Sequence, residues 1–392
     1  MSATEECKPS GTADKLSQDR GLMPPPPPRL FNPTAAQSEA FQTRIPTPAL
    51  GSGRTLAPSA LRFPPARTNL GGSESCTTSA IATENFDFTK HVQGQSFVIP
   101  SKMIAKESDV QTFLKSSACQ DYMSFIKCLC GKLVGVKVSD VGEISDTLKH
   151  LLEVLSELSS YVDKVPPQDH TLRYGNPAYR DWHKLMCENA QSLVESILPD
   201  NLNSAAEELA YYFKESFGNK TRIDYGTGHE TNFIIFLYCI AKLGVIKEED
   251  SIALVLSVFS AYLKLMRKIQ TTYWLEPAGS RGCWGLDDYQ LLPFLFGSAQ
   301  LINHGLIKPK SIHNMDFIEM FSNDFMYFSS VQFVLSVKKG PIKETSPMLT
   351  DISVLGRWQK VNNGLIKMYE GEVLSKFPIM QHLGFGSLFK WN

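Results

Sequence analysis

The stretch TLKHLLEVLSELSSYV, residues 147–162, decides the fold class. Its apolar residues Leu148, Leu151, Leu152, Leu155, Leu158 and Val162 recur at intervals of three and four, which gathers them into one stripe along a helix. Comparable patterns follow at about 182–198, 204–217, 229–243, 249–272, 287–303, 315–337 and 362–376, while alternating strand patterns are nearly absent. The expectation is an all-α domain. No period repeats along the chain, so the helices should form an irregular multi-helix bundle rather than a solenoid.

Ahead of these helices the composition is different. Twelve of the 23 prolines precede residue 66, five of them in MPPPPPR, and no apolar periodicity is sustained before about residue 85. Residues 1–85 are therefore expected to be a disordered Pro/Ser/Thr-rich tail and residues 86–392 the helical domain. Pro24 to Pro28 could serve as a polyproline ligand, but a solvated tail explains them more simply.

The 392-residue chain, 43% hydrophobic, can bury a substantial core without covalent staples. Its 39 basic residues balance 40 acidic ones, leaving no general attraction to nucleic acid or to anionic membranes. Eight cysteines lie scattered without a Cys-x-x-Cys pair, which suits a reduced, intracellular protein. The opening MSATEECKPS is acidic, and no apolar run approaches the ~18 residues of a membrane span. The cytoplasm is the expected location, with the nucleus open.

Between the helices lie segments rich in Gly, Pro, aromatic and charged residues together: HTLRYGNPAYRDWH, GNKTRIDYGTGHE, TYWLEPAGSRGCWGLDDYQ and KFPIMQHLGFGSLFKW. Simple turns need only small polar residues, so these loops are candidates to build a site. HETNF begins like a zinc peptidase motif, but the second histidine, due four residues after His229, is Phe233. His229 is either a first-turn polar contact or a site residue. Gly226 and Gly228 permit close backbone approach, the helix start offers N–H groups, and Arg222 supplies a charged fork, which together suit phosphate. Taken alone, GTG is explained as well by an ordinary helix start, and no P-loop or dinucleotide fingerprint is present. In LEPAGSRGCWGLDDYQ, Glu276, Asp287 and Asp288 stand among glycines, as a hard cation sharing a phosphate would want. Asp287 could equally cap the next helix, with Asp288 favouring its positive end and Pro293 marking or kinking its first turns. No Ser-His-Asp or Cys-His arrangement can be defended from chain order.

TRIDYGTGHE, EPAGSRGCWGLDDYQLLPFLFGSAQL, YGNPAYRDWH and KVNNGLIKMYEGEVLSKFPIMQHLGFGSL resemble the phosphotyrosyl phosphatase activator family, the activators of serine/threonine phosphatase 2A, from about residue 94 to 389. The tail has no counterpart in the family core. The resemblance implies core, lid and linker parts around a deep cleft that takes ATP with magnesium. It implies an interface with the phosphatase 2A catalytic subunit, alone or scaffold-bound, and a peptidyl-prolyl cis/trans isomerase activity toward proline-containing peptides, around which two copies could pair. Carried over by motif, Arg222, Thr227 and Gly228 face the nucleotide phosphates; Gly282 through its carbonyl and Asp288 touch the metal; Pro378, Ile379, Met380 and His382 line the nucleotide. Trp274, Arg281 and Cys283 depart from the family pattern, which affects fine contacts only. An isomerase lowers a barrier of ~18 to 20 kcal/mol by holding a twisted prolyl bond and needs no nucleophile, so it leaves no catalytic motif. The main role implied is chaperone-like activation, with isomerisation secondary; a ligand-free helical adaptor is the alternative.

Overall fold

The computed structural model describes residues 86–90, 96–169, 175–279 and 286–391. In chain order the first elements are β1 (Ser101–Lys102), α1 (Glu107–Leu114), α2 (Ser117–Lys132), α3 (Asp146–Lys164), α4 (Ala178–Glu195) and α5 (Ala206–Glu215). Next come β2 (Asp224–Tyr225), α6 (Thr227–Lys242), α7 (Ser251–Ala253), a π-turn segment (Leu254–Phe259), α8 (Ser260–Tyr273), β3 (Glu276–Pro277) and α9 (Leu292–Gln300). The chain ends with α10 (Met315–Phe321), α11 (Met326–Val337), α12 (Ile342–Thr345), α13 (Pro347–Ser353), α14 (Trp358–Tyr369), a second π segment (Glu370–Leu374), α15 (Phe377–Met380) and β4 (Gly384–Phe385). Two-residue strands form two small pairs, β1 antiparallel to β4 and β2 parallel to β3. The domain is mostly helical, as expected.

The stripe at 148–162 becomes the inner face of α3: Leu148, Leu151, Leu155, Leu158 and Val162 are buried, and Ser145 caps the helix by accepting from Leu148 N. α3 packs on α4 and α8. The helix after GTG is different, since every residue of α6 from Glu230 to Ala241 is buried. A helix apolar all round belongs at the centre, and α6 packs against α5, α2 and α15. Gly244, at φ +76°, ends it: Gly244 N bonds Ala241 O, and Val245 N bonds Ile240 O.

Two helical spans are shorter than their periodicity suggests. The span 315–337 is broken into α10 and α11 because the fully buried Gln300 takes over the backbone there: its Oε1 accepts from Met326 N at 2.8 Å, and its Nε2 donates to Asp324 O at 3.2 Å. The span 287–303 begins only at Leu292, with Pro293 in its first turn. Its cap is not Asp287, whose Oδ1 instead accepts from Tyr289 N. The cap comes from α6, where Glu230 Oε2 accepts from Leu291 N at 3.0 Å and Leu292 N at 3.2 Å.

Candidate functional site: the helix start beneath the C-terminal turn

The loop before GTG is shaped by Asn219. Its Oδ1 accepts from Thr221 N and Arg222 N, while Asn219 N bonds Asp224 O and Ile223 N bonds Asn219 O. This winding forces Ile223 to φ +55°, a region a β-branched side chain seldom adopts. Contacts on both sides hold it: Glu276 N donates to Ile223 O, and a Cβ on Gly175 would come within 2.8 Å of Ile223 Cγ2. The chain then runs as β2 beside β3, with Ala278 N donating to Tyr225 O at 2.7 Å. EPAG is thereby laid against DYG.

The two glycines of GTG have separate causes. A Cβ on Gly226 would sit 3.0 Å from both Cβ and O of Ala278, so this glycine serves the chain's own strand pair. At Gly228 a Cβ would meet only Ile379 Cγ2, at 3.1 Å. Ile379, on α15, therefore stands directly over Gly228. His229 N and Glu230 N turn back to Gly226 O, which leaves Thr227 N and Gly228 N without intrahelical acceptors. Such N–H groups at the positive end of a 16-residue helix favour an anion.

Side chains around this point combine fixed positive charge with neutral imidazoles. Arg222 is half-exposed and donates from Nε to Asp224 Oδ2 at 2.6 Å, so its terminal nitrogens are not engaged by that carboxylate. Asp224 is buried, and its Oδ1 has no hydrogen-bond partner among the described residues. His229 Nδ1 donates to Glu215 O at 2.8 Å; its bare Nε2 faces Asp224 Oδ1 at 4.0 Å. Burial lowers the His229 pKa most; the hydrogen bond to Glu215 O and the Asp224 charge oppose this, and Arg222 and His382 add smaller lowering effects. His382 is likewise lowered, first by desolvation and then by Lys102 and Arg222. Lys102, Arg222, His229 and His382 thus share one electrostatic neighbourhood, although Lys102 lies 120 residues from the motif.

The C-terminal segment is anchored independently of any ligand. Glu208, buried, accepts from Val98 N, Ser387 Oγ and Leu388 N, and β4 pairs with β1. Pro378, in the first turn of α15, is exposed; Ile379 is half-buried and His382 exposed. Met380 is 1% exposed and faces the core, so it backs this wall rather than lining it. Arg222, Thr227, Gly228, Ile379 and His382 are brought together.

The acidic loop is only partly joined to them. Glu276 lies on β3 beside Asp224, its pKa raised by desolvation and then by that neighbour. Asp287 is pushed up to about 6, chiefly by burial. Asp288 pairs with Lys338 of the α11 end at 2.9 Å, both side chains 15% exposed. Gly282 lies outside the described residues. No group of three His, Cys, Asp or Glu that could hold a metal exists among the described residues. One carboxylate with a backbone carbonyl is nonetheless a donor set that suits magnesium when phosphate oxygens complete the shell. Phe233, where a zinc helix would carry its second histidine, stacks on Tyr262 with centroids 3.8 Å apart. Sequence reasoning passes over Asp224 and Glu230, both inside GNKTRIDYGTGHE, because only burial distinguishes them from ordinary turn and helix acids.

Comparison with known proteins agrees with this architecture. Residues 100–391 match the family described as Phosphotyrosyl phosphate activator (PTPA) protein. The probable serine/threonine-protein phosphatase 2A activator 1 of Dictyostelium discoideum is 39% identical over 79% of this chain and 97% of its own length. The activator 1 of Schizosaccharomyces pombe is 41% identical over 81% and 96%. The crystal structure of the PP2A phosphatase activator Ypa1 superposes with a TM-score of 0.72 at 32% identity, covering 77% of this chain and 99% of that one. With the helical order, the glycine-led helix start and the C-terminal turn all falling inside the matched span, the chain belongs to the PTPA family.

Proposed function

We propose that the chain activates the serine/threonine phosphatase 2A catalytic subunit, that it binds ATP with magnesium at the α6 start, and that it carries a secondary peptidyl-prolyl isomerase activity. Phosphatase activation is supported by the relatives, whose names state it of them. The nucleotide reading rests on one observation: Gly228, at the unsatisfied N-terminus of α6, lies under Ile379 with Arg222 alongside. The pair of uncapped N–H groups and the fork of Arg222 fit a polyphosphate, and Asp224 orients that fork through Nε. Thr227 and Gly228 would hold the phosphates, with Pro378, Ile379 and His382 against the rest of the nucleotide, Met380 supporting them, and Asp288 with the Gly282 carbonyl toward the cation. Bound ATP-magnesium supplies polyanionic charge that Arg222 and Lys102 can gather from two separate segments, so occupancy favours one conformer of the domain for the phosphatase to meet.

The test is activation of purified, inactive phosphatase 2A catalytic subunit by the full chain, with and without ATP and magnesium, beside a proline-peptide isomerisation assay. Activation that requires nucleotide supports the reading. A chain that neither activates the phosphatase nor gains thermal stability from ATP-magnesium is the ligand-free adaptor instead.

A further inference from the structure

Asp288 is held by a cation of the chain itself. Lys338 Nζ, 2.9 Å from Asp288 Oδ1, also donates to Thr345 O at 3.2 Å. Lys338 follows the last residue of α11, Thr345 ends α12, and Gly340 turns the chain between them at φ +128°, with a would-be Cβ only 3.3 Å from Thr345 Cγ2. A single ammonium therefore ties the acidic loop to the turn at 338–346, whose residues 339–341, 343 and 344 are exposed.

The two basic groups serving this loop differ in their freedom to leave. Arg267 of α8 is fixed: its Nη atoms donate to Ser329 Oγ and Ser330 Oγ at 3.0 Å, and its guanidinium lies over the Phe333 ring at 4.8 Å. Lys338 is a point charge on a flexible stem with two acceptors, one of them a backbone carbonyl that can turn to water. We propose that Lys338 is a displaceable latch, holding Asp288 while the site is without its divalent cation and releasing both Asp288 and Thr345 O when magnesium and nucleotide arrive. The proposal rests on the reading of Asp288 as a metal contact. An ammonium and a divalent ion cannot share one largely buried carboxylate without strong like-charge repulsion. Release removes a donor from a terminal carbonyl of a four-residue helix, so the 339–346 turn should loosen and carry the state of the site to the surface.

Hydrogen exchange of the full chain, followed on peptides covering 338–346 with MgCl2 and ATP added singly and together, tests this without any activity. The expected result is faster exchange of 339–346 only when both are present. Lys338→Gln, which loses the charge but can still donate to Thr345 O, should lower the magnesium midpoint of the ATP-dependent thermal shift by roughly tenfold or more, whereas Lys338→Arg should not. Unchanged exchange in the wild type, or equal magnesium midpoints for wild type and Lys338→Gln, overturns the latch. Asp288→Asn separates the two readings: if it weakens the magnesium response while Lys338→Gln does not, the metal contact stands and the latch falls. If it leaves the response intact, both fall.

Discussion

Glu230 offers a test in which pH isolates one buried group. The residue is fully buried, caps α9 through Leu291 N and Leu292 N, and leaves Oε1 without a partner among the described residues. Burial raises its pKa from the usual 4.5 to about 8, against the lowering effect of the two N–H donors. Below pH 4.5 the folded and unfolded chains both hold this proton. Between 4.5 and 8 only the folded chain does, so unfolding releases a proton and rising pH favours it; above 8 neither holds it. At about 1.36 kcal/mol per unit, the displacement amounts to at most roughly 5 kcal/mol of stability lost across that window. Glu230→Gln keeps an acceptor for both N–H groups and cannot ionise. Relative to wild type it should gain at least about 1 kcal/mol, and at most about 4 kcal/mol, on going from pH 5 to pH 8, as read from urea midpoints at constant m. Taking the difference between two pH values cancels any constant cost of the amide, and comparing with wild type removes the titration of groups not coupled to Glu230. Glu230→Ala strips both N–H groups of their acceptor and should lose about 2 to 5 kcal/mol at pH 5, and less at pH 8, because it too lacks the titrating carboxyl. Parallel pH profiles for wild type and Glu230→Gln would refute a neutral Glu230 at the heart of the fold.

Further outcomes are expected at the site and in the packing. Arg222→Ala removes a charged phosphate donor, so nucleotide affinity should fall by one to two orders of magnitude, about 1.5 to 3 kcal/mol, measured by the ATP-magnesium thermal shift. Gly228→Val should reduce that shift as strongly, because its side chain would crowd Ile379 and the helix start; an unaltered shift in both variants would leave the glycine to the helix alone. Gly297→Ala would drive a Cβ into the Tyr327 backbone where α9 meets α11, and should cost ~3 kcal/mol or abolish cooperative unfolding. Deleting residues 1–85 should leave cooperative unfolding and phosphatase activation unchanged, which urea denaturation and the activation assay can check.

The all-helical character was legible because it depends on period alone: the leucine stripe of α3 needs one buried face, whichever element covers it. The end of α6 at Gly244 was legible for a similar reason, since left-handed backbone is a local requirement that glycine meets. The wall of the site was reached through long motifs of a family, not through any local rule about Ile379 or His382. What only tertiary structure decided is which partners meet. Gly226 and Gly228 look alike in GTG, yet one is required by Ala278 and the other lies under Ile379, 52 and 151 residues away. Asp287 and Glu230 are both acids near a helix start, and capping fell to the distant one because α6 runs beside the N-terminus of α9. Likewise Asp288, which in the sequence stands as a candidate contact for a cation, is paired with Lys338 at the end of a helix fifty residues on. Periodicity and backbone preference are properties of neighbouring residues and can be read along the chain. Charge pairing, capping and close approach depend on distances between segments, which packing of the whole core sets.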